Sequence, residues 1–194
     1  MILPAPSSTV LAPITTLVVW TMLDLTRTKK ATAVGAATGI VVGLVAITPA
    51  AGFISPMSSI ILGAIAAVPS YFALLYRDQT RLDDSLDVVA AHGVGGIVGA
   101  LLTGILAQKT WNGGAGNGAL FGDVRQLGIQ TIAILATIIY SVVATLIIVK
   151  VLGLVTSLRT EPRDEGLGLD FTQHGEEAYS RGEGAILLLD GRTE

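Results

Sequence analysis

Four stretches of this 194-residue chain contain no Asp, Glu, Lys or Arg: residues 1–23, 31–76, 88–108 and 126–149. A helix needs about 20 predominantly apolar residues to cross the hydrocarbon core of a bilayer, and each stretch reaches that length. The second is long enough for two helices. It is interrupted between Thr48 and Pro56, where two prolines and a glycine mark a turn rather than one continuous rod. The chain therefore reads as an all-α integral membrane protein with five transmembrane helices, near residues 8–25, 31–50, 58–76, 86–107 and 127–151. Composition agrees, with 51% hydrophobic residues and 14% charged ones against about 25% charged in a soluble domain.

Cations divide the loops into two kinds. Arg27, Lys29 and Lys30 follow the first span and Arg77 and Arg81 the third, whereas the turn after the second span has none and the last loop has only Lys109 and Arg125. Because positively charged short loops stay in the cytoplasm, the N-terminus is expected outside and the C-terminus inside. Residues 1–152 form the transmembrane domain in this reading and 153–194 a polar cytoplasmic tail. Neither a signal peptide nor a repeat of soluble-solenoid period is evident. The net charge of −3 and the lack of a basic patch interleaved with aromatics point away from nucleic acid. With no cysteine, thiol catalysis, disulfides and thiolate metal sites are excluded. No cofactor and no metal is implied.

Small residues repeat along two spans. Gly35, Gly39 and Gly43 lie on one face of the second, and Gly95 and Gly99 on one face of the fourth, the spacing that lets helix backbones approach closely in lipid. Beside the second set stands His92, the single ionisable group in residues 88–108. An imidazole at membrane depth is a functional candidate, and the glycines around it predict a tight, dry environment that favours the neutral ring. Asp83 fits a helix start, where acids favour the positive end of the dipole and Ser85 assists as a cap. Asp87 lies a turn deeper and is expected to be hydrogen-bonded to a neighbouring helix or loop, holding the span in register. Thr38 and Thr48 are expected to donate to carbonyls one turn earlier. Trp20, Tyr71, Tyr76 and Trp111 are expected at the membrane interface. His92 with Asp87 imitates a base and its orienter, but no nucleophile, metal cluster or phosphate loop accompanies them, so an enzyme is not expected.

The segments Thr38–Phe53 and Asp84–Gly96, the latter reading DSLDVVAAHGVGG, resemble the eighth and tenth helices of the ammonium transporter (Amt/Mep/Rh) family. The segment Gly168–Tyr179, GLDFTQHGEEAY, resembles that family's cytoplasmic tail, which reports between subunits. The resemblance covers nearly all of the chain from the second span onward, as helices seven to eleven plus the tail. It implies a plasma-membrane homotrimer whose subunits each carry a pore through an eleven-helix bundle of two inverted repeats. Ammonium is recruited outside and deprotonated, and ammonia then crosses an apolar passage past two stacked histidines. His92 matches the second of these, and Val88 an apolar pore position. Asp84 and Asp87 match the family's acids, and Thr38 and Thr48 fall in the supporting helix. In the tail, Gly168, Asp170, Thr172, His174, Gly175, Glu176 and Tyr179 fall on the regulatory motif, with Thr172 at a position phosphorylated in some plant members. Val89 and Ala90 depart from the phenylalanine and glycine common before the histidine.

The family's first six helices have no counterpart here, and with them go the first histidine and the outer recruitment site. The chain is accordingly expected to be the C-terminal part of an ammonium transporter, incomplete as a pore alone. Its expected partners are ammonium or ammonia, with methylammonium as an analogue, membrane lipid, and either further copies or the N-terminal half. The alternative is a non-transporting sensor or dominant-negative subunit that associates with intact transporters.

Overall fold

The computed structural model describes residues 5–176. It is helical from end to end, and the turn chemistry of the sequence accounts for where the helices stop. Helix α1 (Ala5–Thr28) is followed by α2 (Ala33–Ile47), whose start is capped by Thr32 accepting from the Gly35 amide at 2.9 Å. Ser55 caps α3 (Pro56–Arg77) by accepting from the Ser58 amide at 3.1 Å, and Pro56 occupies the first turn, where no amide partner is needed. A π-helical stretch, Val89–Val94, runs into α4 (Gly95–Leu106). After a loop with one 3₁₀ turn at Ala119–Phe121 come α5 (Arg125–Gly153), the short α6 (Pro162–Leu167) and a π turn at Asp170–His174.

Four segments are long and apolar enough to span a membrane: Ala5–Thr28, Pro56–Arg77, Val89–Leu106 and Arg125–Gly153. The second expected span is the exception. α2 has 15 residues rather than the anticipated 31–50, about 22 Å at 1.5 Å per residue against a core of roughly 30 Å. Pro49 has no amide to continue the ladder, and the chain turns instead, with the Ala50 amide donating to Ile47 at 2.9 Å and that of Phe53 to Ala50 at 2.8 Å.

The chain divides into two compact units between Ile139 and Tyr140. In the first, α1 packs against α2 and α3 over a core that includes Ala12, Trp20, Val42, Ala46, Ile47 and Leu62. The glycine face of α2 meets α1 along its length. A Cβ at Gly39 would strike Trp20, and one at Gly43 the backbone of Pro13. Thr16 ties α1 across to α3, donating to its own Ala12 carbonyl at 2.8 Å and to Gly63 at 3.1 Å. On α4, Gly99 lies so close to the Ala46 carbonyl of α2 that any side chain would overlap it. Both small-residue faces thus bring backbones together, as close packing in lipid requires.

Trp20 and Tyr71 correct an expectation. Both were anticipated at the interface, yet they are 2% and 4% exposed and meet edge to face at 5.1 Å inside the α1–α3 contact. The Tyr71 hydroxyl finds its partner in Asp24 of α1, at 3.1 Å. Tyr76, by contrast, is exposed.

In the second unit the π turn closes on itself. Thr172 donates to the Gly168 carbonyl at 3.0 Å and the Glu176 amide to Asp170 at 3.0 Å. Gly168 and Gly175 adopt φ of +96° and +67°, conformations glycine takes without strain. His174 ends the turn. Tyr179 of the expected tail motif lies outside the described residues.

Candidate functional site

The site is built from the connection between α3 and α4 upward. Asp84 is the cap. Its two carboxylate oxygens accept from the amides of Val88 at 2.9 Å and Val89 at 2.8 Å, which begin the π-helical stretch. These bonds, that of Val89 foremost, hold the Asp84 carboxyl below the usual carboxylate range, with Arg77 adding to the effect. The acceptor at this helix start is thus Asp84, in the role that Asp83 and Ser85 were expected to fill.

Asp87 follows in a left-handed backbone conformation, φ +56°, which Asp tolerates better than most residues. Its carboxylate accepts from Arg77 at the end of α3, and Arg77 also pairs with Asp78 at 3.1 Å. The α3–α4 connection is therefore clamped at both ends: an ion pair fixes Asp87 to α3, and Asp84 fixes the first amides of the next helix.

From that start the chain runs as a π-helix through His92. Such wide turns are rare and concentrate at functional sites. Ala90 and Ala91 are buried against the rest of the unit, while His92, Gly93 and the preceding Val88 are exposed. His92 faces a groove of ≈ 350 Å³ between α4 and α5, walled by Gly96, Ile97 and Ala100 on one side and by Gln130, Ile134 and Thr137 on the other.

This corrects the expectation of a tight, dry setting. The glycines that bring helices together are Gly95 and Gly99, on the opposite face. Gly93 has open space where a Cβ would stand, and Gly96 meets only Val45, at 3.8 Å. Within this chain the imidazole is presented to an open, largely apolar groove.

The remaining expected residues lie elsewhere. Thr38, half-buried on α2, donates to Val34 at 3.0 Å and Thr48, exposed at the C-cap of α2, donates to Leu44 at 2.7 Å; neither lines the groove. Gly168, Asp170, Thr172, His174, Gly175 and Glu176 belong to the second unit. Among the described residues no group of acids, histidines or cysteines is arranged to hold a metal ion.

Two features escaped the sequence reading. One is Asp24, which at the end of a span looks like an ordinary boundary charge. Its hydrogen bond to Tyr71, 47 positions away, is visible only in the fold. The other is Gln130 on α5, which shares the groove with His92. Its signal was present: Gln126, Gln130 and Thr137 are polar residues at helical spacing in a run otherwise free of charge.

Known proteins bear on this geometry. The model of the Ammonium Transporter Family matches residues 4–179. Among curated relatives, an ammonium transporter of Aquifex aeolicus is 45% identical over 174 residues, covering 89% of this chain and 40% of the relative. One of Bacillus subtilis is 38% identical, covering 82% of this chain and 40% of the relative. Among solved structures, Saccharomyces cerevisiae Mep2 superposes with a TM-score of 0.73 at 34% identity, over 78% of this chain and 38% of that one. A structure described as a sensor Amt protein superposes with a TM-score of 0.75 at 26% identity, over 88% of this chain and 41% of that one. The chain spans about 40% of the length of these curated relatives.

Proposed function

The chain belongs to the ammonium transporter family, and from that footing we propose that it supplies the C-terminal part, helices seven to eleven and the cytoplasmic tail, of an ammonium-conducting pore in the plasma membrane. The observation that carries this reading is the placement of His92. On a span otherwise packed through small residues, it is the one side chain able to form strong hydrogen bonds that the stretch Val89–Leu106 contributes to the groove lining.

The chemistry suits a neutral, hydrogen-bonding permeant. A neutral imidazole carries one donor and one acceptor nitrogen and can accept from or donate to ammonia. The walls are mostly glycine, alanine and isoleucine, with Gln130 and Thr137 the polar side chains opposite His92, and such a lining offers little to replace the hydration shell of an ammonium or potassium ion. Ammonium therefore leaves its proton before this point and ammonia passes the ring. Val88, exposed one turn before His92, would extend the apolar wall of the completed passage. Asp84 and Asp87 act on the passage indirectly, by fixing where the π-helical stretch begins. Thr38 and Thr48 serve the helix they sit on. In the tail, Gly168, Asp170, Thr172, His174, Gly175, Glu176 and Tyr179 form the segment through which neighbouring subunits of a trimer would sense one another.

The groove is open on one side in this chain, and the additional length of the relatives is its natural cover. The test is methylammonium uptake by cells that make this chain joined to, or together with, the N-terminal portion of a family member. Uptake that disappears in the His92→Ala variant is the expected result. Uptake indifferent to that substitution would overturn the pore assignment.

A second reading is favoured by the structural likeness to a protein described as a sensor: a non-transporting subunit that binds intact transporters and modifies their rate. It requires copurification with a full-length family member and a changed uptake rate, and it falls if neither is seen.

A further inference from the structure

The loop between α4 and α5 holds two Asn-Gly pairs, Asn112-Gly113 and Asn117-Gly118. Both lie outside the two segments, Val89–Leu106 and Arg125–Gly153, that are long and apolar enough to span a membrane. An asparagine followed by glycine can lose its side-chain amide when the next backbone nitrogen attacks the carboxamide carbon, and glycine offers no side chain to obstruct that approach. The reaction depends on the state of the nitrogen and of the carboxamide. The two pairs differ in both.

At the second pair the nucleophile is committed. The Gly118 amide donates to the Ala107 carbonyl at 2.7 Å, and Gly118 is buried so closely against the Ile105 carbonyl that a Cβ has no room. The side-chain oxygen of Asn117 accepts one amide, that of Lys109, at 2.8 Å. Attack by the Gly118 nitrogen first requires breaking a hydrogen bond in a buried setting, where a group left unpaired is costly.

At the first pair the nucleophile is free. Gly113 is exposed with φ +68°, and its amide makes no hydrogen bond among the described residues. The carboxamide it would attack is held ready. The Asn112 side-chain oxygen accepts from the amides of Gly114 at 3.2 Å, Ala115 at 2.9 Å and Gly116 at 3.4 Å, while its nitrogen donates to the Gly116 carbonyl at 2.6 Å. Backbone donors gathered on one carbonyl oxygen stabilise the negative charge that develops there when a nucleophile adds to the carbon. Asn112 has three such donors and Asn117 one.

We propose that Asn112 is a site of spontaneous deamidation, assisted by its own loop. The Gly113 nitrogen gives up its proton to solvent base and bonds to the Asn112 Cγ, and the carbonyl electrons pass to the oxygen held by the three amides. The Cγ–Nδ2 bond then breaks, and the departing nitrogen takes a proton from water and leaves as ammonia. Water opens the resulting succinimide at either carbonyl, giving aspartate or isoaspartate. One water is consumed, one ammonia is released, and nothing is oxidised or reduced. In the aspartate product the carboxylate keeps the three amide donors, but the bond to the Gly116 carbonyl is lost. The new negative charge stands at the wall of a cavity of ≈ 90 Å³, formed with Phe53, Thr103, Gln126 and Gln130, that has no charged side chain in its lining.

The proposal stands apart from the transport reading, and so does its test. The purified chain is incubated in detergent at mildly alkaline pH, with peptide mass spectrometry of the loop over time and isoaspartyl methyltransferase labelling to identify the isomer. Asn112 is expected to convert about tenfold faster than Asn117, the factor set by the buried hydrogen bond that Gly118 must first give up. In denaturant, where the loop geometry is gone, the two sites are expected to convert at similar rates. Asn112→Gln, whose longer side chain cannot close the five-membered ring, is expected to abolish the fast conversion; if that variant does not fold, the two sites of the unsubstituted chain decide alone. Equal rates in the folded chain, faster conversion at Asn117, or a folded chain stable at both sites while the denatured chain converts would overturn the proposal.

Discussion

The two sides of the first unit are built on opposite terms. Where α1 meets α2 and α3, glycines at 39, 43 and 63 bring backbones against Trp20, Pro13 and Ala12, and a threonine hydroxyl crosses between helices. Where α4 faces α5 beside His92, glycines at 93 and 96 meet almost nothing, although Gly104 at the far end lies close to the Leu127 backbone, and no residue of α5 is buried. The same residue type therefore has two meanings. On one side it removes a side chain so that a helix can approach. On the other it leaves room beside a histidine. Only the first use contributes to holding this chain together, and only the second shapes the groove beside His92.

Substitution separates the two uses. Gly99→Leu forces a side chain into the Ala46 carbonyl and is expected to cost about 3 kcal/mol, at the upper end for overpacking, measured as a loss of thermal stability in detergent. Gly93→Ala, facing open space, is expected to leave stability unchanged or slightly improved; equal losses at both positions would dissolve the contrast. Next in size is Asp87→Ala, which strands Arg77 without its principal partner. It is expected to lower Tm by less than Gly99→Leu and to increase amide exchange at Val88 and Val89, because the α3–α4 connection loses one of its clamps.

Tyr71→Phe keeps the edge-to-face contact with Trp20 and removes only the bond to Asp24, a loss of about 1 kcal/mol in the same assay. Smallest is Ser70→Ala. The Ser70 hydroxyl is fully buried beside Gly95 with no hydrogen-bond partner among the described residues, so its removal is expected to be neutral or mildly stabilising. A clear loss of stability would mean that this hydroxyl has a partner, and that the α3–α4 contact is more polar than the packing suggests.

Much of this architecture was legible because charge is costly in lipid and glycine is the smallest residue. Runs without charge located four helices long and apolar enough to span a membrane, and the small-residue spacing of Gly35, Gly39 and Gly43 located a packing face that α1 does occupy. Asp87 was legible as a tethered acid for the same reason, since its depth made an unpaired carboxylate implausible. Other features depend on relations the linear order does not contain. Whether Gly93 or Gly95 faces a neighbour depends on the rotation of the helix, and the π register that sets this rotation has no signature in VAAHGV. Trp20 and Tyr71 sit near span ends, where interfacial aromatics are common, yet their burial follows from each other and from Asp24. Pro49 was read correctly as a break, but the number of residues lost from α2 was set by the turns that follow it.

The stretch from Asp84 to Gln108 is pinned at its two ends. Asp84 holds the first amides, and at the other end the Gln108 amide donates to the Phe53 carbonyl at 2.8 Å while its side chain reaches Ser58 at 3.2 Å. A π turn accommodates about one residue more than an α turn of the same rise. Between two fixed anchors, the chain therefore carries a residue for which regular helical winding has no place, and the wide turn that absorbs it is the one bearing His92. Deleting a single residue between Asp87 and His92 would let the helix wind evenly between the same anchors and would swing the imidazole by roughly 100° around its axis, out of the groove. The direction of the ring is in this sense a matter of counting: it depends on how many residues lie between two knots, more than on any contact the ring makes.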